Sequence, residues 1–418
     1  MTGSIKSSLY IALALLIYAT LSSPFPQNPG VFEAAVALCL MLFVRIPIGA
    51  LIAAGSFRGM DQYKSFPVWL HMLFFYLLWW ELINGAVLQG NNLVDVIRDL
   101  IPFIYLFMPL FLLPAMQKAK LDWGAILPWI ISLVGVIFSI RFYIKADINL
   151  TEIGRRYFSD YLLYFPYDPS VIFAGIFLPL MAIQIWRVKS PIRMIGSIVM
   201  VIGGALALGS LLAVAQRAPI GLAVVCFTVY ALGVARQSIG KLVLVLVLFA
   251  SVYMVAQDQI ASSLDLLQAK QSEYGANGKT DEMFTIFKEV AKDPSAFFLG
   301  RGWGGLFFDP IYMAKVSYTH SVITYYMLKA GVIGLITFIL YLGWVLSRML
   351  KAFTMSRLPV ILASIVPMSI GMLFQPSYKC LSYGVILALV CALPSRMKAM
   401  EHKPQEIDQV GRFVQISS

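Results

Sequence analysis

The chain has 418 residues, of which 60% are hydrophobic and only 13% charged, and it carries a formal net charge of +11. Soluble domains average roughly 45–50% and about 25% on the first two measures, so this chain lacks the polar surface to cover itself in water. Its 21 prolines and 30 glycines are ordinary usage, which excludes collagen-like and low-complexity classes. The expectation is an all-α, polytopic transmembrane helical bundle, because the apolar runs are long and continuous rather than the ten-residue alternations of a barrel.

A bilayer core about 30 Å thick takes roughly 20 apolar residues per helix. Such runs fall at 8–25, 31–54, 66–88, 96–115, 124–144, 170–186, 191–215, 218–235, 241–257, 319–347, 358–375 and 380–395, which gives about 12 spans. The first is read as an uncleaved span rather than a leader, since a long apolar series follows it. Arg45 and Pro47 interrupt the second.

Orientation follows the lysines and arginines of the short loops. With the N-terminus cytoplasmic, the inner loops carry Arg58 and Lys64, Lys118 and Lys120, Arg187, Lys189 and Arg193, Arg236 and Lys241, and Arg348, Lys351 and Arg357. The opposite loops 23–30 and 89–95 carry none. Both ends are therefore expected on the cytoplasmic side. The basic excess belongs to topology and calls for no nucleic acid partner; the partner it implies is the lipid bilayer. Cys39, Cys226, Cys380 and Cys391 sit in or beside apolar runs without CxxC spacing, so neither a disulfide nor a metal site is expected.

Domain organisation reads as spans 1–9 over residues 1–257, with an interfacial segment at 145–169 rich in aromatics and charges. A large periplasmic loop follows at 258–318, then spans 10–12 over 319–395 and a cytoplasmic tail at 396–418. Within the loop, Thr280 as N-cap, Asp281 and Glu282 in a first turn, and Lys288, Lys292 and Pro294 at the far end predict a short helix near 281–292. FFLGRGWGGLF then makes a glycine-rich turn around Arg301.

Three histidines occur. His402 lies in the polar tail, and His71 suits packing near the start of the third span. His320 stands where the large loop re-enters the membrane, where a structural histidine and a general base are both open readings. Arg217 lies between two apolar runs with almost no loop, a costly place for a charge that pairs with nothing and binds nothing anionic. Arg301, flanked by Gly300 and Gly302, sets a guanidinium beside backbone N–H groups able to approach an anion. Arg141, Arg155 and Arg156 form a second possible anion patch, for which an interfacial anchor is the better reading. Glu33 and Glu81 are read as the only carboxylates well inside a span, each near an end. Guanidinium forks favour phosphate, and a neutral imidazole can take a proton from a hydroxyl near pH 7. A lipid-linked phosphate attacked by a sugar hydroxyl would use both, with no cofactor and no metal.

From His320 the chain reads HSVITYYMLKAGVIGL: His, Ser, nine residues, Gly331, two residues, Gly334. This resembles the H-[NSQ]-x9-G-x-x-G motif of the O-antigen ligase and O-antigen polymerase superfamily. The LGRGWGG turn is similar to that family's region before the histidine. QRAPIGL resembles its R-x3-L element approximately, because Gly221 holds the fourth place after Arg217 and leucine follows at 222. The resemblance implies a metal-independent, inverting GT-C glycosyltransferase acting at the periplasmic face on an undecaprenyl-diphosphate-linked glycan donor. It implies that Arg217 and Arg301 hold the donor diphosphate and that His320 orients or deprotonates the acceptor hydroxyl. Gly331 and Gly334 are read as helix-packing positions. The acceptor is a glycan repeat if the chain is a polymerase, the reading preferred here because the R-x3-L match is imperfect and no acceptor signature is visible. It is lipid A-core if the chain is a ligase. A transporter or flippase is the rival of another class, for which no midplane acidic pair is evident.

Overall fold

A computed structural model of the chain describes residues 2–25, 30–55, 66–119, 121–148, 160–186, 190–235, 279–309 and 313–394, with positions 240, 243, 257, 258, 261, 262, 265 and 268. Arg155, Arg156, His402, the tail 396–418 and nearly all of the ninth expected span lie outside the described residues.

The described chain is a helical bundle: α1 (Thr2–Thr20), α2 (Val31–Val44), α3 (Ile46–Ala53), α4 (Val68–Ile83), α5 (Leu93–Leu106), α6 (Met108–Lys118), α7 (Trp123–Ala146), α8 (Asp160–Tyr167), α9 (Pro169–Ile185), α10 (Pro191–Ala213), α11 (Arg217–Ala235), α12 (Lys279–Val290), α13 (Pro294–Leu299), α14 (Val322–Lys351), α15 (Leu358–Leu373) and α16 (Leu381–Ala392). Among the described residues six helical segments are long and apolar enough to cross a membrane, and up to eight if each of two bent pairs counts as one. Three shorter apolar helices, Leu9–Thr20, Pro169–Ile185 and Leu381–Ala392, coincide with further expected spans.

Where the chain bends, the sequence gives the cause. α2 and α3 meet at 89° at Arg45, whose φ is 70°, and Pro47 opens α3 with no N–H to continue the ladder. α5 and α6 meet at 47°, again with a proline, Pro109, in the first turn of the second helix. The expected helix 281–292 is α12, two residues earlier, so Thr280 lies inside it rather than capping it. Pro294 does not merely end that helix; it starts α13, which Asp293 caps through Ser295 N at 2.9 Å.

The all-α expectation needs one correction. β1 (Phe307–Asp309) and β2 (Ala314–Val316) pair antiparallel just before His320. Three-residue strands fall below the length at which alternation is legible in a sequence.

The core lies where α9 packs on α7, α10 and α15, and where α16 sits among α5, α6, α7, α14 and α15. α16 is buried at every position from Leu381 to Cys391, as a helix apolar all round must be. By contrast α10 turns Ile192, Ile195, Val199 and Ile202 outward, the surface a hydrocarbon solvent requires. All four cysteines are buried and free.

Candidate functional site

The site is built around the head of α14. Ser321 caps that helix, its side chain accepting from Thr324 N at 3.1 Å, so the serine of the His-Ser pair does local structural work. His320 is therefore the residue just outside the helix, and two further contacts fix it. Its backbone N–H donates to Glu282 Oε1 at 3.0 Å, and its Nδ1 makes a short contact with Glu282 Oε2. Thr324 Oγ1 adds a third donor to the same carboxylate at 3.4 Å. The Glu282 side chain is 2% exposed and that of His320 is 22% exposed. A carboxylate on Nδ1 sets the tautomer, placing the proton there and leaving Nε2 as the lone-pair nitrogen. Nε2 has no hydrogen-bond partner among the described residues.

Seven residues further along α12, Glu289 pairs with Arg301 (Nη1 to Oε2, 3.1 Å). Seven residues are about two turns, or roughly 10 Å of rise, so one helix face holds both His320 and Arg301. Arg301 Nη1 also donates to Leu306 O at 2.5 Å. Both contacts use Nη1, which leaves the Nη2 side of the fork for a further acceptor.

Arg301 is carried by a loop threaded into the bundle. Its own N–H donates to Leu328 O (2.9 Å), Gly302 N to Lys329 O (2.9 Å) and Trp303 N to Glu81 O (3.0 Å). Asn91 Nδ2 donates to the carbonyls of Arg301 and Trp303 at 3.0 and 2.9 Å. Such approach needs glycine on both sides. A Cβ on Gly300 would stand 2.2 Å from Lys329 O, one on Gly302 2.1 Å from Gly85 N, and one on Gly331 2.6 Å from Gly300 N. Gly331, at φ 62° and ψ −161°, breaks α14 where the loop inserts, so the first motif glycine serves close packing against the end of α13 and the loop after it. Gly85 lies in a π-helical turn, Asn84–Leu88, that ends α4.

The carboxylate reading within spans is also corrected. Asp99, buried in α5, was not counted among the intramembrane carboxylates; it pairs with Lys329 of α14 at 2.6 Å. The Lys329 side chain is 0% exposed. Both partners also hold the loop, since Gly304 N donates to Asp99 Oδ2 at 2.7 Å and Lys329 Nζ donates to Gly305 O at 2.5 Å. Sequence reading missed the pair because its two members lie on different helices, far apart in the chain.

Arg217 opens α11, half-buried, two residues after Ala215 at φ 53°. Its neighbour Gln216 accepts from Gln375 Nε2 at 3.4 Å, and Gln375 precedes the 3-10 turn Pro376–Lys379. Tyr378 of that turn is buried and meets Thr319 Oγ1 through its hydroxyl at 2.9 Å. Arg217 and His320 thus lie at the same end of the bundle, joined through one short turn. Arg141 lies apart, its Nη1 donating to Ala19 O and Ser22 O at 2.7 and 2.8 Å, which ties it to the end of α1. His71 is buried with Nε2 3.1 Å from Ile52 O, the packing role expected of it.

Glu282 and Lys379 are the residues that sequence reading did not place at the site. Glu282 looked like an ordinary first-turn acid, and its partner is 38 positions away. Lys379 sits in a four-residue turn with no motif around it.

No family model matches the chain, and no curated protein matches it. The resemblance named above rests on the motif residues alone.

Proposed function

We propose that the protein is a glycosyltransferase of the O-antigen polymerase and ligase type, in the inner membrane, with about 12 spans and its site open to the periplasm. The observation that carries this reading is His320 held through Nδ1 by a buried carboxylate, at the same end of the bundle as Arg217 and Arg301. A carboxylate–imidazole pair at the rim of an apolar bundle is suited to taking a proton from a hydroxyl.

In the proposed reaction Nε2 of His320 accepts the proton of an acceptor sugar hydroxyl. The oxygen attacks the anomeric carbon of the lipid-linked glycan as the bond from that carbon to the diphosphate oxygen breaks. The bonding pair leaves with the undecaprenyl diphosphate, and a single displacement inverts the anomeric centre. Glu282 stabilises the imidazolium that forms. Arg301, through the side of its fork not turned to Glu289, and Arg217 offset the charge growing on the diphosphate. No metal is needed for this step.

Polymerase is the preferred activity, with a second lipid-linked repeat as acceptor, and ligation to lipid A-core is the alternative. A transporter would need ionisable groups free to change partners inside the bundle. The Asp99–Lys329 pair is of the right type, yet both residues are bonded to the Gly304–Gly305 backbone, which favours a structural role. The test is transfer in vitro by the purified protein, with lipid-linked repeats as donor and either repeats or lipid A-core as acceptor. A ladder of lengthening glycans supports polymerase; product on lipid A-core alone makes it a ligase; no transfer to either sinks the proposal.

A further inference from the structure

Lys379 closes the turn between α15 and α16, and the turn is held at both ends. Tyr378 is fastened to Thr319 beside His320, and Gln375 to Gln216 beside Arg217. The lysine therefore ends a turn tied to both the segment that carries His320 and the one that carries Arg217. Its Nζ lies 4.0 Å from the centroid of the Tyr318 ring and 5.5 Å from that of Tyr378. The same Tyr318 ring meets the His320 imidazole edge-to-face, with centroids 5.1 Å apart. One aromatic ring thus separates the ammonium from the proposed base.

The neighbouring charges are already matched. Lys329 takes Asp99, Arg98 takes Asp95, Arg301 takes Glu289 and His320 takes Glu282. Among the described residues no carboxylate comes within ion-pair distance of Lys379, and aromatic faces are what it has instead. Burial pushes its amine down to about 8; Asp99 and Glu282 act in the opposite direction, while Lys329 and Arg98 add to the lowering. Lys379 is half-buried, and a cation that rests on aromatic faces rather than on a carboxylate keeps donors for an anion that arrives to meet it.

We infer that Lys379 is a third cation that contacts substrate, donating to a phosphate oxygen of the polyprenyl diphosphate beside His320. The inference rests on the donor reading above. A neutral sugar acceptor gives no reason for an ammonium here, whereas the departing diphosphate gains charge as the glycosidic bond breaks. Lys379 offsets that charge and keeps its proton throughout. The arginines reach the anion as planar forks; the lysine supplies a point charge from a rigid turn.

The experiment uses the full chain in phosphatidylcholine nanodiscs with undecaprenyl diphosphate as the probe. Lys379→Gln should weaken binding by about 10- to 100-fold, the range for losing one hydrogen bond to a charged group, and Lys379→Arg should recover most of it. Acylation of Lys379 in the wild type at pH 8, read by mass spectrometry, keeps the test independent of how the variants fold. Undecaprenyl diphosphate should protect the amine, while inorganic pyrophosphate, or phosphatidylglycerol in place of phosphatidylcholine, should not. Equal protection by phosphatidylglycerol would make this a general lipid-phosphate contact and overturn the inference. Wild-type binding with neither protection of Lys379 nor loss in Lys379→Gln would overturn it and leave the donor reading standing. Absence of wild-type binding would bring down both.

Discussion

Two polar clusters sit at helix ends in this bundle, one around Arg141 and one around His320, and they spend similar residues differently. In the first, Arg141 donates to the carbonyls that close α1 and stacks over Phe138 and Phe165 at 5.6 and 4.7 Å from their centroids. Asp168 takes Tyr18 OH at 2.5 Å and caps α9 through Ser170 N at 2.9 Å. The groups there complete helix ends. In the second cluster, carboxylates hold one nitrogen of His320 and one of Arg301, and a lysine rests on aromatic faces. Charge near a membrane surface therefore says little by itself; what distinguishes a reactive cluster is capacity left over once the fold has been satisfied.

The sharpest way to break this contrast is at His320 and Glu282. His320→Gln should lower transfer by about 10²–10⁴-fold, the usual worth of a positioned base, with undecaprenyl diphosphate binding retained. Glu282→Gln should fall in the same range, because an amide facing Nδ1 no longer fixes the tautomer. Steady-state rates beside direct donor binding check this; an active Gln variant at either position removes that residue from the chemistry.

Gly331→Ala comes next. Its φ of 62° and the 2.6 Å approach of its would-be Cβ to Gly300 N leave no room, and the strain alone is worth about 1–3 kcal/mol. We expect a lower melting temperature together with reduced transfer, since the loop carrying Arg301 must shift. Gly343→Ala in the same helix, where a Cβ meets nothing within 4 Å, should cost neither.

A smaller effect concerns pH. Lys379 is pushed below its ordinary value to about 8, and its charged form is the one that meets phosphate. Donor affinity should be full below that pH and decline as pH rises through it, while Lys379→Arg should flatten the decline. The groups bearing on this lysine are Asp99, Glu282, Lys329 and Arg98. Affinity titrated between pH 7 and pH 9, a window of about one unit on either side of that value, reads the difference. Arg141→Ala should change least in function, losing about 1.5–3 kcal/mol of stability for its bonds to the α1 carbonyls. Its signature is a lower melting temperature with an unchanged rate per folded molecule.

Helix positions were legible because a bilayer imposes length on apolar runs, and the break at Arg45 and Pro47 was legible because proline cannot continue a helix. His320 and Arg301 stood out through their glycine and serine neighbours. Glu282, Asp99, Lys329 and Lys379 did not, since each gains meaning from a residue on another element. The hairpin Phe307–Val316 was hidden for a simpler reason: three-residue strands leave no period to detect. Arg217 lies at the same end of the bundle as His320, but the turn that ties the two could not be read from either segment alone.

The backbone approaches among Gly85, Gly300, Gly302 and Gly331 also bear on how such a chain can be engineered. The segment before α14 is not a detachable cassette: its glycines are sized to glycines in α14 and in the turn after α4. A chimera that exchanges residues 279–321 alone would bring foreign side chains against gaps only a hydrogen atom wide. Transplanting the segment would require moving the recipient positions Gly85 and Gly331 with the graft, so the loop and the helices that receive it are inherited together.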